Sequence, residues 1–275
     1  MLSTLFPAAV ETAVPTVSQI FMSEFLGTAV LLLLGGGVVA TNLLPKSKGK
    51  DGGWLLINWG WGLAVFAGVY VAFRTGGHLN PAVTIAKVVA HVFDPSVTLA
   101  GNIPVTGVNV AVYIVAQFLG AFVGAVLCWL TFKKHFDEDC DPALKLGVFS
   151  TGPEIRSYGW NCLTEAIGTA VLILWIFVSG YTETHVGPLG VALIIVVIGN
   201  SLGGPTGYAI NPARDLDPVS PTRSCQSRAR AAPTGATPGS PSSARSSALS
   251  SAPFSTTSFS PESECAGEAS AASPA

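Results

Sequence analysis

One triplet occurs twice in this chain, as Asn80-Pro81-Ala82 and as Asn211-Pro212-Ala213, and its residue types suit a specific job. Proline fits the first position of a helix, because the N–H it lacks would have been an orphan donor there. Each Asn therefore falls where an N-cap belongs, with its side-chain oxygen turned to the helix. Its amide N–H groups are left to donate to a passing hydroxyl or water oxygen. A molecule held by two such donors cannot also relay a proton along a file. One triplet alone would read as Asn-Pro turn chemistry. Two copies, each behind a Gly-rich apolar run (Gly76-Gly77-His78-Leu79 and residues 203–210), point to two helix starts facing one another.

Bond-making chemistry is not expected. Cys128, Cys140, Cys162, Cys225 and Cys265 have no CxxC or metal-ligand spacing, and the four histidines are dispersed. With no nucleophile–base arrangement either, the sequence suggests no catalytic residue, no metal, no cofactor and no enzyme. The 275 residues are 49% hydrophobic and only 11% charged, with a mean hydropathy of +0.53. Soluble domains carry roughly 25% charged residues, so this is a membrane composition. A net charge of −2 without a basic patch gives no reason to expect a nucleic-acid partner. The first seventeen residues lack a basic n-region, so no cleaved signal peptide is expected.

The elements that must position the triplets follow from the apolar runs. Spans are expected at about residues 20–44, 54–73, 108–132, 160–181 and 186–202. After the first triplet, residues 81–92 allow only two or three helical turns, too few for a bilayer that needs about 20 residues. Two such half-helices would bring their positive dipole ends together at mid-depth. Residues 133–139 are charged and aqueous, and a polar connection runs on to about residue 157.

The chain repeats. Residues 23–31 (SEFLGTAVL) align with 164–172 (TEAIGTAVL), with Glu, Gly, Thr, Ala, Val and Leu in register. Three spans separate the copies, so the second enters from the opposite side, which is an inverted-topology repeat. Glu24 and Glu165 are carboxylates inside spans, where they are costly. A structural role is favoured, accepting from backbone N–H groups of the irregular segment before each half-helix, which lipid cannot satisfy. A proton relay is the alternative, but no ladder of further buried carboxylates accompanies them.

These residues resemble the major intrinsic protein family, and within it the glycerol facilitators or aquaglyceroporins. The resemblance covers roughly residues 18–216. It rests on the EFLGT-like opening, Trp61-Gly62-Leu63-Ala64-Val65, His78-Leu79-Asn80-Pro81-Ala82-Val83-Thr84, Phe149-Ser150-Thr151, and residues 203–215 through Arg214-Asp215. It implies an all-α, aquaporin-like membrane fold of six helices plus two half-helices, assembled as a homotetramer with one pore per subunit. The implied constriction is Trp61, Gly199, Tyr208 and Arg214, with His78 and Asp215 as supporting residues beside Glu24 and Glu165. Two aromatics and a small residue beside the Arg are similar to the glycerol-facilitator set. Glycerol has hydroxyls along one edge and C–H groups along the other. Trp61 and Tyr208 can take the C–H edge, and the forked donors of Arg214 the hydroxyl oxygens. Half-helix dipoles and the Arg repel protons and cations.

The function implied is passive diffusion of glycerol, urea, water or another small neutral solute through a cell membrane (plasma or inner), with lipid as the surrounding partner. A coupled secondary transporter is the competing class, since inverted repeats with broken helices build those too. A water-selective pore is the alternative within the channel class. Orientation is in conflict. Lys46, Lys48, Lys50, Lys133, Lys134, Lys145 and Arg156 follow the first and third spans, which the positive-inside rule would place in the cytoplasm. The family resemblance places these connections outside, and that assignment is preferred.

Domain organisation is expected as an N-terminal segment at 1–17, a channel domain at 18–216 (repeats at about 18–132 and 160–216) and a tail at 217–275. The tail is rich in Ser, Pro and Ala, which reads as disordered. The repeat calls for a sixth helix there, and none is legible. One base lost from a Gly codon explains both facts. GGA before CCC becomes GAC, giving Asp217-Pro218 where the family continues Gly-Pro, and TCN serine codons in the shifted frame restore Phe, Leu, Ile or Val. Read so, the tail is a frameshifted sixth helix. The chain as written would then be a poor or non-conducting channel.

Overall fold

The computed structural model describes residues 14–181, 183 and 186–215, all within one compact unit. The tail, the sixth helix and any continuation past Asp215 lie outside the described residues. Among the described residues the secondary structure is helical, with one isolated bridge between Ala100 and Ile103.

Helix α1 (Val17–Leu43) opens on a capping box. Thr16 Oγ1 accepts from Gln19 N at 3.3 Å, and Gln19 Oε1 accepts from Thr16 N at 2.9 Å, satisfying two orphan donors reciprocally. Its 27 residues span about 40 Å at 1.5 Å each, enough to cross a bilayer at a tilt. Helix α2 (Trp54–Val71) follows, then α3 (Pro81–Phe93), α4 (Gly107–Thr131), two short surface helices, α5 (Lys133–Asp137) and α6 (Pro142–Gly147), and finally α7 (Tyr158–Val178) and α8 (Gly187–Leu202). Four segments are long and apolar enough to cross a membrane: α1, α2, α4, and α7 with its 3-10 extension to Tyr181. The expected fifth span, α8, has 16 residues, about 24 Å of helix. It starts at Gly187, whose φ of 54° only Gly adopts freely, and stops at the Gly203-Gly204-Pro205 break, so both ends are cut by backbone chemistry.

The helices approach through small residues, because lipid gives apolar side chains no reason to prefer one another. A Cβ on Gly120 of α4 would stand 2.3 Å from the carbonyl oxygen of Phe25, and one on Gly124 2.3 Å from that of Ala29. The four-residue spacing of these glycines lets α4 lie directly on the backbone of α1. Helix α2 joins the halves: a Cβ on Gly62 would meet the Ala192 carbonyl of α8 at 2.7 Å.

The repeat carries over into packing, with one asymmetry. In α1, 56% of the most apolar window is buried, and in its counterpart α7 only 11%. The α1 face that α4 covers includes Glu24, Phe25, Ala29 and Leu32. The equivalent residues on α7 are Glu165, Ala166, Ala170 and Ile173, and among the described residues they line an open apolar groove. On α7 only Gly168 and Leu172 are buried.

Candidate pore and its constriction

Before each triplet the chain turns sharply, and both turns end on a bulky residue in the left-handed region. Leu79 has φ 52° and Ile210 has φ 40°. Such a conformation strains an L-residue and persists only where its surroundings hold it. Here the surroundings do so twice over. Glu24 Oε2 accepts from Leu79 N at 2.8 Å and Glu24 Oε1 from His78 N at 3.1 Å. In the second repeat Glu165 Oε2 accepts from Ile210 N at 2.9 Å and Glu165 Oε1 from Ala209 N at 3.1 Å. The carbonyls of the same two residues are taken by the other repeat. Asn211 Nδ2 donates to Leu79 O and Asn80 Nδ2 to Ile210 O, both at 2.8 Å.

The Asn oxygens cap as well. Asn80, extended at φ −153°, accepts from Ala82 N at 2.9 Å and opens α3 with Pro81 in the first turn. Asn211 Oδ1 accepts from Ala213 N at 3.0 Å and from Arg214 N at 3.3 Å. The expected second half-helix is described only as this first turn, because the chain beyond Asp215 lies outside the described residues. Each Asn thus spends its oxygen on its own helix and one amide hydrogen on the opposite loop. Among the described residues the other amide hydrogen has no protein partner. That cross-bond between the loops was not foreseen from sequence.

The supporting residues form one buried cluster in the first repeat. Glu24 also accepts from Thr75 Oγ1 at 2.6 Å and from Gln117 Nε2 at 2.9 Å. His78 bridges Thr84 Oγ1 (3.0 Å) and the Leu99 carbonyl (2.8 Å). Among the described residues Glu165 has no such entourage and is half-exposed to the α7 groove. The two carboxylates hold equivalent backbone groups, yet only Glu24 is fully enclosed.

A cavity of about 300 Å³ runs past this junction, lined by Trp61, Asn80, Tyr208, Asn211 and Arg214 among others. The Arg214 guanidinium carbon lies 4.5 Å from the Trp61 ring centre, and Nη1 reaches Asp215 Oδ1 at 3.3 Å. Asp215 in turn accepts from Thr151 N at 2.6 Å, so the carboxylate that orients the Arg is itself fixed to a loop. Trp61 packs against Gly35, where any Cβ would come within 2.2 Å of its ring. Tyr208 donates its hydroxyl to Asn58 Oδ1 at 2.6 Å, and Asn58 Nδ2 donates to Asn200 Oδ1 at 2.7 Å. Gly199 sits against this pair: a Cβ there would stand 2.7 Å from Asn58 Oδ1 and 2.8 Å from Tyr208 Cζ.

Trp61, Tyr208 and Arg214, far apart in the sequence, thus line one cavity together with Asn80 and Asn211, while Gly199 packs against Asn58 and Tyr208. Asn58 is a residue that sequence reasoning missed. An Asn one helical turn before Trp61 in an otherwise apolar helix was the available signal.

Two short capped turns meeting head to head inside a bundle of inverted halves define a membrane channel built from a duplicated unit. The comparisons agree. The model of the family described as "Major intrinsic protein" matches residues 11–224, and the chain belongs to that family. It is accordingly a multi-pass membrane protein of a family of channels, not enzymes. It is 49% identical over 203 residues to the "Probable glycerol uptake facilitator protein" of Thermotoga maritima, covering 73% of this chain and 82% of that one. It is 46% identical over 198 residues to the "Glycerol uptake facilitator protein" of Streptococcus pneumoniae, covering 71% and 80%. Among solved structures it resembles the aquaglyceroporin from Plasmodium falciparum with a TM-score of 0.60 and 32% identity, over 73% of this chain and 79% of that chain.

Proposed function

We propose that this chain forms a passive channel for glycerol and other small uncharged solutes, with water, and excludes protons and ions. The observation that carries the reading is the constriction. Trp61 and Tyr208 present apolar ring surface, Arg214 presents forked donors held by Asp215 and Trp61, and Gly199 adds no side chain. A solute with hydroxyls along one edge and C–H groups along the other meets a matching surface. Beyond the constriction, the remaining amide hydrogens of Asn80 and Asn211 donate together to one passing oxygen. Exclusion of protons follows from the same donors: an oxygen accepting two hydrogen bonds from protein cannot accept the next proton in a file. The names of the bacterial relatives support glycerol as the solute, with urea and water as further candidates. A homotetramer with one pore per subunit is part of the proposal.

Stopped-flow light scattering on vesicles holding the protein tests it, with glycerol and water gradients run separately and an ion gradient imposed in a third set. Glycerol permeability well above empty vesicles, non-saturating and indifferent to the ion gradient, supports the channel. Saturating flux driven by an ion gradient would make it a coupled transporter.

A further inference from the structure

Lys87 is a cation that the constriction does not use. It stands seven residues past Asn80 and four past Val83 on α3, and the three residues share the face that lines the cavity. At 1.5 Å per residue its Cα is about 10 Å along α3 from Asn80. The side chain is half-buried, and its ammonium lies 4.8 Å from the ring centre of Phe177 on α7. It makes no ion pair among the described residues, and no carboxylate among them lines the cavity. A lysine kept only for solubility extends its ammonium to the interface. This one folds against an aromatic ring on the cavity wall, in the same way that Arg214 lies on Trp61.

We propose that Lys87 is a second specificity-determining residue of the conduction path, donating to solute hydroxyl oxygens and repelling cations at a point separate from Arg214. An ammonium offers three rotatable donors on a flexible stem, where Arg214 offers a fixed fork. It can follow a polyol as it moves, and its charge acts in a cavity whose remaining lining is largely apolar. The proposal rests on the channel reading above.

The test compares the full chain with Lys87→Met and Lys87→Arg in vesicles, measuring glycerol, water and methylammonium entry. Met keeps the length and apolar contact with Phe177; Arg keeps the charge. Lys87→Met is expected to lower the glycerol-to-water permeability ratio several-fold and raise methylammonium entry several-fold, and Lys87→Arg to stay near wild type in both. Both quantities at wild-type level in Lys87→Met would overturn the proposal. Failure of both the unsubstituted chain and its frame-restored form to pass glycerol would instead remove the channel reading. Lys87 is then judged by acylation of the detergent-solubilised full chain with an amine-reactive ester, read peptide by peptide by mass spectrometry. Glycerol is expected to slow acylation of Lys87 several-fold while leaving Lys145 unaffected, and equal slowing of the two would overturn the proposal.

Discussion

The side-chain amide of Asn211 donates to the main-chain carbonyl of Leu79 at 2.8 Å, across the boundary between the two repeats. The bond from Asn80 to Ile210 is its mirror. Leu79 and Ile210 both have positive φ, and each is held at its N–H by a carboxylate of its own repeat and at its C=O by an Asn of the other. A left-handed bulky residue costs about 1–3 kcal/mol. Four hydrogen bonds, two of them to carboxyl oxygens, offset that for the pair.

Removing the carboxylates is therefore expected to act unequally. Glu24→Ala strips partners from Thr75, His78, Leu79 and Gln117 in a fully enclosed site, and is expected to cost about 3 kcal/mol or more. Glu165→Ala strips only Ala209 and Ile210 beside an open groove, and is expected to cost about half as much. Thermal unfolding of the two variants in one detergent orders them. Equal losses would mean that burial of the carboxylate is not what distinguishes them.

Arg214→Val is expected to raise proton and cation leak while neutral-solute flux stays measurable. The change removes the cation over Trp61 and the ion pair with Asp215, but leaves the capped N-termini and their dipoles, so exclusion falls only in part. Proton entry into vesicles under an imposed pH gradient reads the change. A wild-type rate would show that Arg214 is not the barrier.

Gly199→His is expected to favour water over glycerol. Its Cβ alone meets the bonded pair of Asn58 and Tyr208, so Tyr208 must swing toward the cavity before the imidazole is even accommodated. A rise of about 1.4 kcal/mol in the glycerol barrier, a tenfold fall in its permeability relative to water, is the expected scale. The two permeabilities in the same vesicles give the ratio. No change would mean that Gly199 lies off the path.

The frameshift reading of the tail makes a prediction about DNA. One inserted base near the codon for Asp217 is expected to restore Gly-Pro followed by a Gly- and aliphatic-rich run long enough for most of a span. Sequencing the coding region decides it. The repaired form is expected to carry more glycerol per molecule than the 275-residue form, because a helix on the α7 groove would cover Glu165 and wall the second loop. Equal flux from the two forms would remove the functional half of this claim.

The fold was legible because membrane helices announce themselves by length and composition. The span expected at residues 20–44 is found as Val17–Leu43, and that at 108–132 as Gly107–Thr131. The repeat was legible because Glu, Gly, Thr and Ala recur in register. What stayed hidden depends on contacts between distant segments. No local pattern says that Asn58 receives the Tyr208 hydroxyl 150 residues away, or that the Asn80 amide crosses to Ile210. Propensity argues outright against left-handed Leu79 and Ile210, whose conformation exists only because bonds from elsewhere hold it. Lys87 lay in plain view within a short helix, and its place on the cavity wall emerges only once the cavity is drawn.

The cross-bond also sets a schedule for biosynthesis. Leu79 and Asn80 leave the ribosome some 130 residues before Ile210 and Asn211 do. At about 5–20 residues per second, the first loop waits on the order of ten seconds for its partners. During that interval the Leu79 carbonyl and the Asn80 amide must find temporary company, in water at the insertion machinery or in a shallower position. The bonds that join the two loops can therefore form only after translation has passed Asn211, so the junction between the halves closes last although the halves are made in turn.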